Sequence, residues 1–256
     1  MKKILTSITL TLCVYLISSI LFVNQLNATG IQFITAEEPP LQYHEDGKIK
    51  GISWEIIQLM FKDLGVETPE IKFYPWSRAY KLAQEEKNIF FFSVGRMEAR
   101  ESLFKWVGTL YSLNSYLFKA KSNSDIVINT LEDARKYRIA LKKDDARAIY
   151  LKSKGFKPSS LVTDNIQAIG MMMLGRIDLL AEAPLIVKHV AKEQNMDYDK
   201  LTPVYKIMST PICIAFSKTT DDVIVEKYVK ALQRVKQTKD YADILKKYDA
   251  HELLSE

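Results

Sequence analysis

The chain has 256 residues, enough for one large domain or for two lobes with cores of their own. Lys and Arg number 36 and Asp and Glu 31, a net charge of +5 spread along the chain, so no basic patch marks a nucleic-acid partner. Two cysteines, Cys13 and Cys213, exclude a disulfide framework.

The chain opens with Met1-Lys2-Lys3 and runs apolar from Ile4 to Val23, with no acid before Glu37. A basic start followed by an apolar run is an export signal, expected over 1–28, and the same run is long enough to serve as an uncleaved anchor. Cleavage would remove Lys2, Lys3 and Cys13, leaving a net charge of +3 and a lone Cys213.

Beyond the signal, IQFITA (31–36) reads as a strand, and the proline pair in AEEPPLQY reads as extended backbone. HEDGK (44–48) is a turn. Ser53 is placed to cap a helix from Trp54 to Leu64 that ends at Gly65. IKFY (71–74) is a strand, Pro75 opens a helix running to about Glu86, and IFFFSV (89–94) is a buried strand. A second alternation follows: strand 138–142, helix 144–154, strand 161–164, helix 165–174, strand 177–183, and a helix from Pro184 to Glu193. PICIAFS (211–217) is a last strand, and the segment from Val223 to Tyr248 has helical spacing. The alternation predicts an α/β fold of two lobes, each with its own sheet, joined by ordered crossovers near 112–120 and 208–216.

His44, His189 and His251 fit no metal-ligand spacing, and there is no nucleophile elbow, P-loop or dinucleotide fingerprint. Cys213 sits in an apolar strand, where a buried structural thiol is expected. Nothing asks for a cofactor or a metal, and by elimination a binding protein becomes the leading class.

The order AEEPPLQYHEDGKIKGISWEI, YPWSRAY, FFFSVGRMEARESLFKWVGTLY, RIALKKDD and GRIDLLAEAP resembles the polar-amino-acid family of periplasmic solute-binding proteins, bacterial extracellular family 3, over 30–250. The resemblance implies the type II periplasmic-binding-protein fold. Two α/β lobes, 28–115 with 213–256 and 116–212, would close by a hinge around a solute. It also implies a monomeric, non-enzymatic protein of the periplasm that hands a small polar solute to the permease of an ABC-type importer.

In that family an arginine grips the ligand carboxylate, and it falls on Arg100, where a planar guanidinium can make two parallel bonds. Ser93 and Gly95 fall on neighbouring donor positions. Trp76 falls on the platform beneath the ligand, while Tyr80 and Ala83 pack and Arg78 points to rim or solvent. Arg96 either lines the cleft or pairs with an acid. At the start of a second-lobe helix the family has a glycine and small hydroxyls, but here stand Lys143, Asp144 and Asp145. An aspartate there repels a carboxylate and can cap the helix instead. The family's amine-binding acid falls on Ala183; Glu182 replaces it only if a bulge intervenes. Glu38 is another acid available to the cleft. Two alternatives stay open: an enzyme on the same fold, dehydratase-like, using Glu37, Glu38, Glu55, Asp144 or Glu182, or a sensory module acting through a partner.

Overall fold

The computed structural model describes residues 30–248; the expected export signal lies outside them. Among the described residues no helix is long and apolar enough to cross a membrane.

The first half alternates as its sequence predicts. Strand β1 (Gln32–Thr35) lies between β4 (Ile71–Phe73) and β5 (Ile89–Gly95), all parallel. Between them runs a hairpin of β2 (Tyr43–Glu45) and β3 (Lys48–Lys50), turned by Asp46 and Gly47, both at positive φ as a two-residue turn requires. Helix α1 (Ile52–Leu64) ends on left-handed Gly65, and α2 (Trp76–Glu85) follows Pro75, which caps the helix rather than opening it. Ser53 does not cap α1: the helix begins two residues earlier, at Ile52 after Gly51, and the Ser53 side chain turns inward. The proline pair is not extended either. Pro39–Pro40 is cis and forms a tight turn that sets Glu38 and Gln42 side by side.

The second half repeats the pattern with β7 (Ile139–Lys142), α3 (Ala146–Ser153), β8 (Ser160–Val162), α4 (Asn165–Met173), β9 (Leu179–Glu182) and α5 (Pro184–Glu193). Here β7 lies between β8 and β9, again all parallel.

Two 17-residue antiparallel strands join the halves, β6 (Phe104–Ala120) and β10 (Leu201–Ser217). One end of this ribbon pairs with β5 through Ile212–Phe216, the other with β9 through Tyr116–Phe118. The hydrogen-bond ladder therefore runs unbroken as β4-β1-β5-β10-β6-β9-β7-β8. Two separate sheets were expected. They are fused because the anticipated crossovers, near 112–120 and 208–216, are themselves paired along their length. Last come α6 (Asp222–Val235) and α7 (Lys239–Lys247), which return to pack on α1 and β6. Tyr228 there meets Phe33, Phe90 and Phe216, and Arg234 pairs with Asp63 at 2.6 Å. An aromatic core thus fixes the sheet ends around which the site is built.

Candidate functional site

A short 3-10 helix, Glu98–Leu103, follows β5 and carries Arg100 inward, where only 1 % of the side chain is exposed. Its guanidinium donates from Nη1 to the Gly95 carbonyl and from Nη2 to the Asp144 carbonyl, both at 2.8 Å. Its Nε is buried with no partner, and among the described residues no carboxylate lies within ion-pair distance. The rings of Tyr80 and Trp76 lie 5.0 and 5.5 Å from the guanidinium carbon and stack on each other at 5.8 Å. Trp76 also donates from Nε1 to the Asp144 carbonyl at 3.0 Å, and Ser77 donates to the Asp144 carboxylate at 2.8 Å. Asp144 holds this pose in left-handed backbone, φ 58°, a conformation natural to glycine.

Arg100 opens onto an inner cavity of about 50 Å³, room for one or two waters. Ser93 stands on its wall because β5 bulges there: Phe92 faces Ile214 and Val94 faces Cys213, leaving Ser93 unmatched at φ 62°. The bulge aims the hydroxyl into a relay. Tyr111 donates to Ser53 at 2.5 Å, Ser53 to Ser93 at 2.7 Å, and Ser93 to the Gln42 amide oxygen at 2.5 Å. One proton per hydroxyl fixes that direction, with the Gln42 amide nitrogen donating onward to the Ala36 carbonyl. Burial pushes the Tyr111 phenol well above its ordinary pKa, so it stays a donor.

Acids and cations pair on the opposite wall. Asp145 caps α3, accepting from the Arg147 backbone N–H at 2.8 Å and from its guanidinium at 2.6 and 2.8 Å. Burial raises the Asp145 pKa, but the Arg147 charge and hydrogen bonds, with Lys142 beyond, outweigh it and hold it at about 2. Arg147 also meets Glu182, which accepts the Ala183 N–H at 2.7 Å. Glu38 pairs with Lys142 and accepts from Asn165 at 2.7 Å. A second, outer cavity of about 580 Å³ lies beyond Glu38 and Trp76, which line both spaces along with Ala36.

Of the residues singled out in the sequence, Arg100, Trp76, Ser93, Gly95, Glu38 and Asp145 line the inner cavity together. Asp144 reaches the site through its carbonyl. Arg96 does not: it bonds to Glu101 through Nε at 2.9 Å and lies over Trp106, outside the cavity. Glu182 does not line the cavity either. β9 pairs with β6 without a bulge, Glu182 opposite Tyr116, so its side chain is directed to Arg147. Arg78 is exposed over Tyr74, as its place on the helix predicts. Sequence reading missed Gln42, Ser53, Tyr111, Lys142, Arg147 and Asn165. For Arg147 the available signal was local, an acid two residues before it at a helix start. The others depend on contacts between distant segments.

A comparison with curated protein sequences finds no match. Among solved structures, a histidine kinase sensor domain with similarity to periplasmic binding proteins superimposes with a TM-score of 0.77 at 18% identity, over 86% of this chain and 96% of that one. An ancestral arginine-binding protein bound to arginine gives 0.70 at 20% identity, over 85% and 97%. The arginine-, lysine-, histidine-binding protein ArtJ of Geobacillus stearothermophilus gives 0.73 at 15% identity, over 85% and 94%. All three share the fold, that of the type II periplasmic binding proteins. The family described as bacterial extracellular solute-binding proteins, family 3, matches residues 31–251, and this chain belongs to it.

Proposed function

We propose that the chain captures a small polar solute bearing a carboxylate, an amino acid or a related compound, and delivers it to the permease of an ABC-type importer. In this reading the halves 28–115 with 213–256 and 116–212 act as lobes, hinged on the β6–β10 ribbon, of an exported, monomeric, periplasmic protein without catalytic activity. One observation carries the reading: Arg100 is a buried cation with an unpartnered Nε and only carbonyls on its other nitrogens. A buried charge without a counter-ion is costly, and an anionic ligand relieves that cost. A carboxylate on the Nε–Nη2 edge would replace the Asp144 carbonyl and satisfy Nε in the same step.

Arginine-binding proteins among the structural relatives support the amino-acid class. The enzymatic alternative has less support, because three of its candidate acids, Glu38, Glu55 and Glu182, are each tied to a cation rather than free to move a proton. A sensory role through a partner is favoured by the likeness to a kinase sensor domain. It would use the same grip, and import of labelled solute by cells with and without the gene separates the two roles.

The grip itself is tested by calorimetry with the tightest binder from a panel of free amino acids and short peptides. Arg100→Ala should lose roughly thirtyfold or more, since truncating one partner of a buried charge pair costs about 2–5 kcal/mol. Arg100→Lys should lose nearly as much, because a point charge cannot make two parallel bonds. Arg78→Ala should change little. Near-wild-type binding by Arg100→Ala overturns the reading.

A further inference from the structure

Charge is distributed unevenly between the two cavities. In the inner one the Nε of Arg100 is unsatisfied, while both carboxylates on the wall are engaged: Asp145 by Arg147, and Glu38 by Lys142 and Asn165. A free α-amino acid carries its ammonium one carbon away from its carboxylate. With the carboxylate on Arg100, that ammonium would lie in about 50 Å³ of space where neither acid is free to receive it. Burying a cation on those terms is unfavourable.

The outer cavity has the opposite character. Its volume, about 580 Å³, lies in the range of sites that enclose drug-sized ligands. Glu37, Asp164 and Glu193 join Glu38 on its wall, against Lys142, already tied to Glu38, and Lys143. Glu37 and Glu193 contact the imidazoles of His44 and His189, and among the described residues neither carboxylate is tied to a lysine or arginine. Tyr43, Phe73, Tyr74 and Trp76 add ring faces, which attract cations and cover apolar side chains.

From this arrangement we infer that the ligand is a short peptide of two or three residues, its terminal carboxylate on Arg100 and its terminal ammonium in the outer cavity. The inference rests on the carboxylate reading of Arg100 and adds where the positive end must go. An extended chain advances roughly 3.3–3.6 Å per residue, so each added residue carries the ammonium that much further from Arg100, towards the wall of Glu38 and Trp76 that the two cavities share. Ser77 and Asn165, on the outer cavity's wall, are polar partners for the peptide groups.

The test is calorimetry with L-alanyl-L-tyrosine, L-lysyl-L-alanine and glycylglycine, their C-terminal amides, their N-acetyl forms, and the twenty free amino acids. At least one dipeptide should bind tenfold or more tighter than every free amino acid, and N-acetylation should weaken it at least tenfold. Glu193→Gln, a change at the exposed rim, should weaken the free dipeptide more than its N-acetyl form. A free amino acid that binds tighter than every dipeptide overturns the peptide inference and leaves the grip in place. So does the failure of all three dipeptides to bind. A C-terminal amide binding as tightly as the free acid overturns the carboxylate grip itself.

Discussion

Asp145 stands where the family resemblance implies a small hydroxyl, and its carboxylate does two jobs at the head of α3. It caps the helix and neutralises Arg147. Its pKa of about 2 lies below the ordinary aspartate value of 3.8. The native state therefore favours the charged form, so the stabilisation is complete above about pH 4 and is lost as pH falls through 2. A depression of that size corresponds to about 2–3 kcal/mol. Asp145→Asn should be less stable than wild type by about that amount at pH 7, with the gap narrowing as urea denaturation is repeated towards pH 2. A gap that stays constant with pH would show that the Asp145 charge is not what stabilises the fold, since asparagine caps a helix as well as aspartate. At this scale Arg100 and Trp76 were legible because a family motif marks them. Arg147 was missed although Asp145, two residues before it, was a local signal, because an arginine early in a helix is ordinarily a solvated residue and its second partner, Glu182, comes from a later strand.

Helix α1 owes its place beside the site to Gly51, its N-cap, at φ 116°. A Cβ there would come within 2.6 Å of the Leu41 carbonyl carbon and 2.8 Å of the Gln42 nitrogen, both backbone atoms that cannot swing away. Gly51→Ala should cost about 1–3 kcal/mol of stability in urea denaturation. It should also weaken ligand binding, because Gln42 ends the hydroxyl relay through Ser93. A variant with wild-type stability would show that the Leu41–Gln42 turn is free to shift. Most elements were legible from spacing and caps: β5 from its run of aromatics, α5 from Pro184, the end of α1 from Gly65. The long ribbon strands were legible only in part, at 211–217 and as ordered crossovers, and not in their full length. In β10 the stretch Thr202–Ser209 mixes Pro203 with polar residues, and its register with β6 shifts twice, after Pro203 and after Lys206. A strand whose register slips loses the alternation by which sequence reading finds strands.

At the scale of the molecule, the α/β class and the repeated halves could be read directly, but not how the halves join. A sheet counted from its parallel strands alone divides in two. Only the pairing of β6 with β10, between segments far apart in the chain, makes it one. The same ribbon carries Leu113 and Ser115 on one strand and Thr210 and Ile212 on the other into the inner cavity. If the halves move apart as the proposed lobes, that movement must twist the two strands that also line the inner cavity.

That seam holds its own reporter. Cys213 follows Ile212 in β10, fully buried, 3.4 Å from the Thr109 hydroxyl of β6, and burial pushes its thiol pKa up. A thiol reagent can reach it only when the strands part, so in a chain lacking residues 1–28 the labelling rate becomes a clock for that event. A ligand held between the halves favours the paired state by mass action, so at about 100 times its Kd the clock should slow roughly a hundredfold. Labelling as fast as a free thiol, or at a rate indifferent to ligand, would mean that the ribbon is not where the molecule opens.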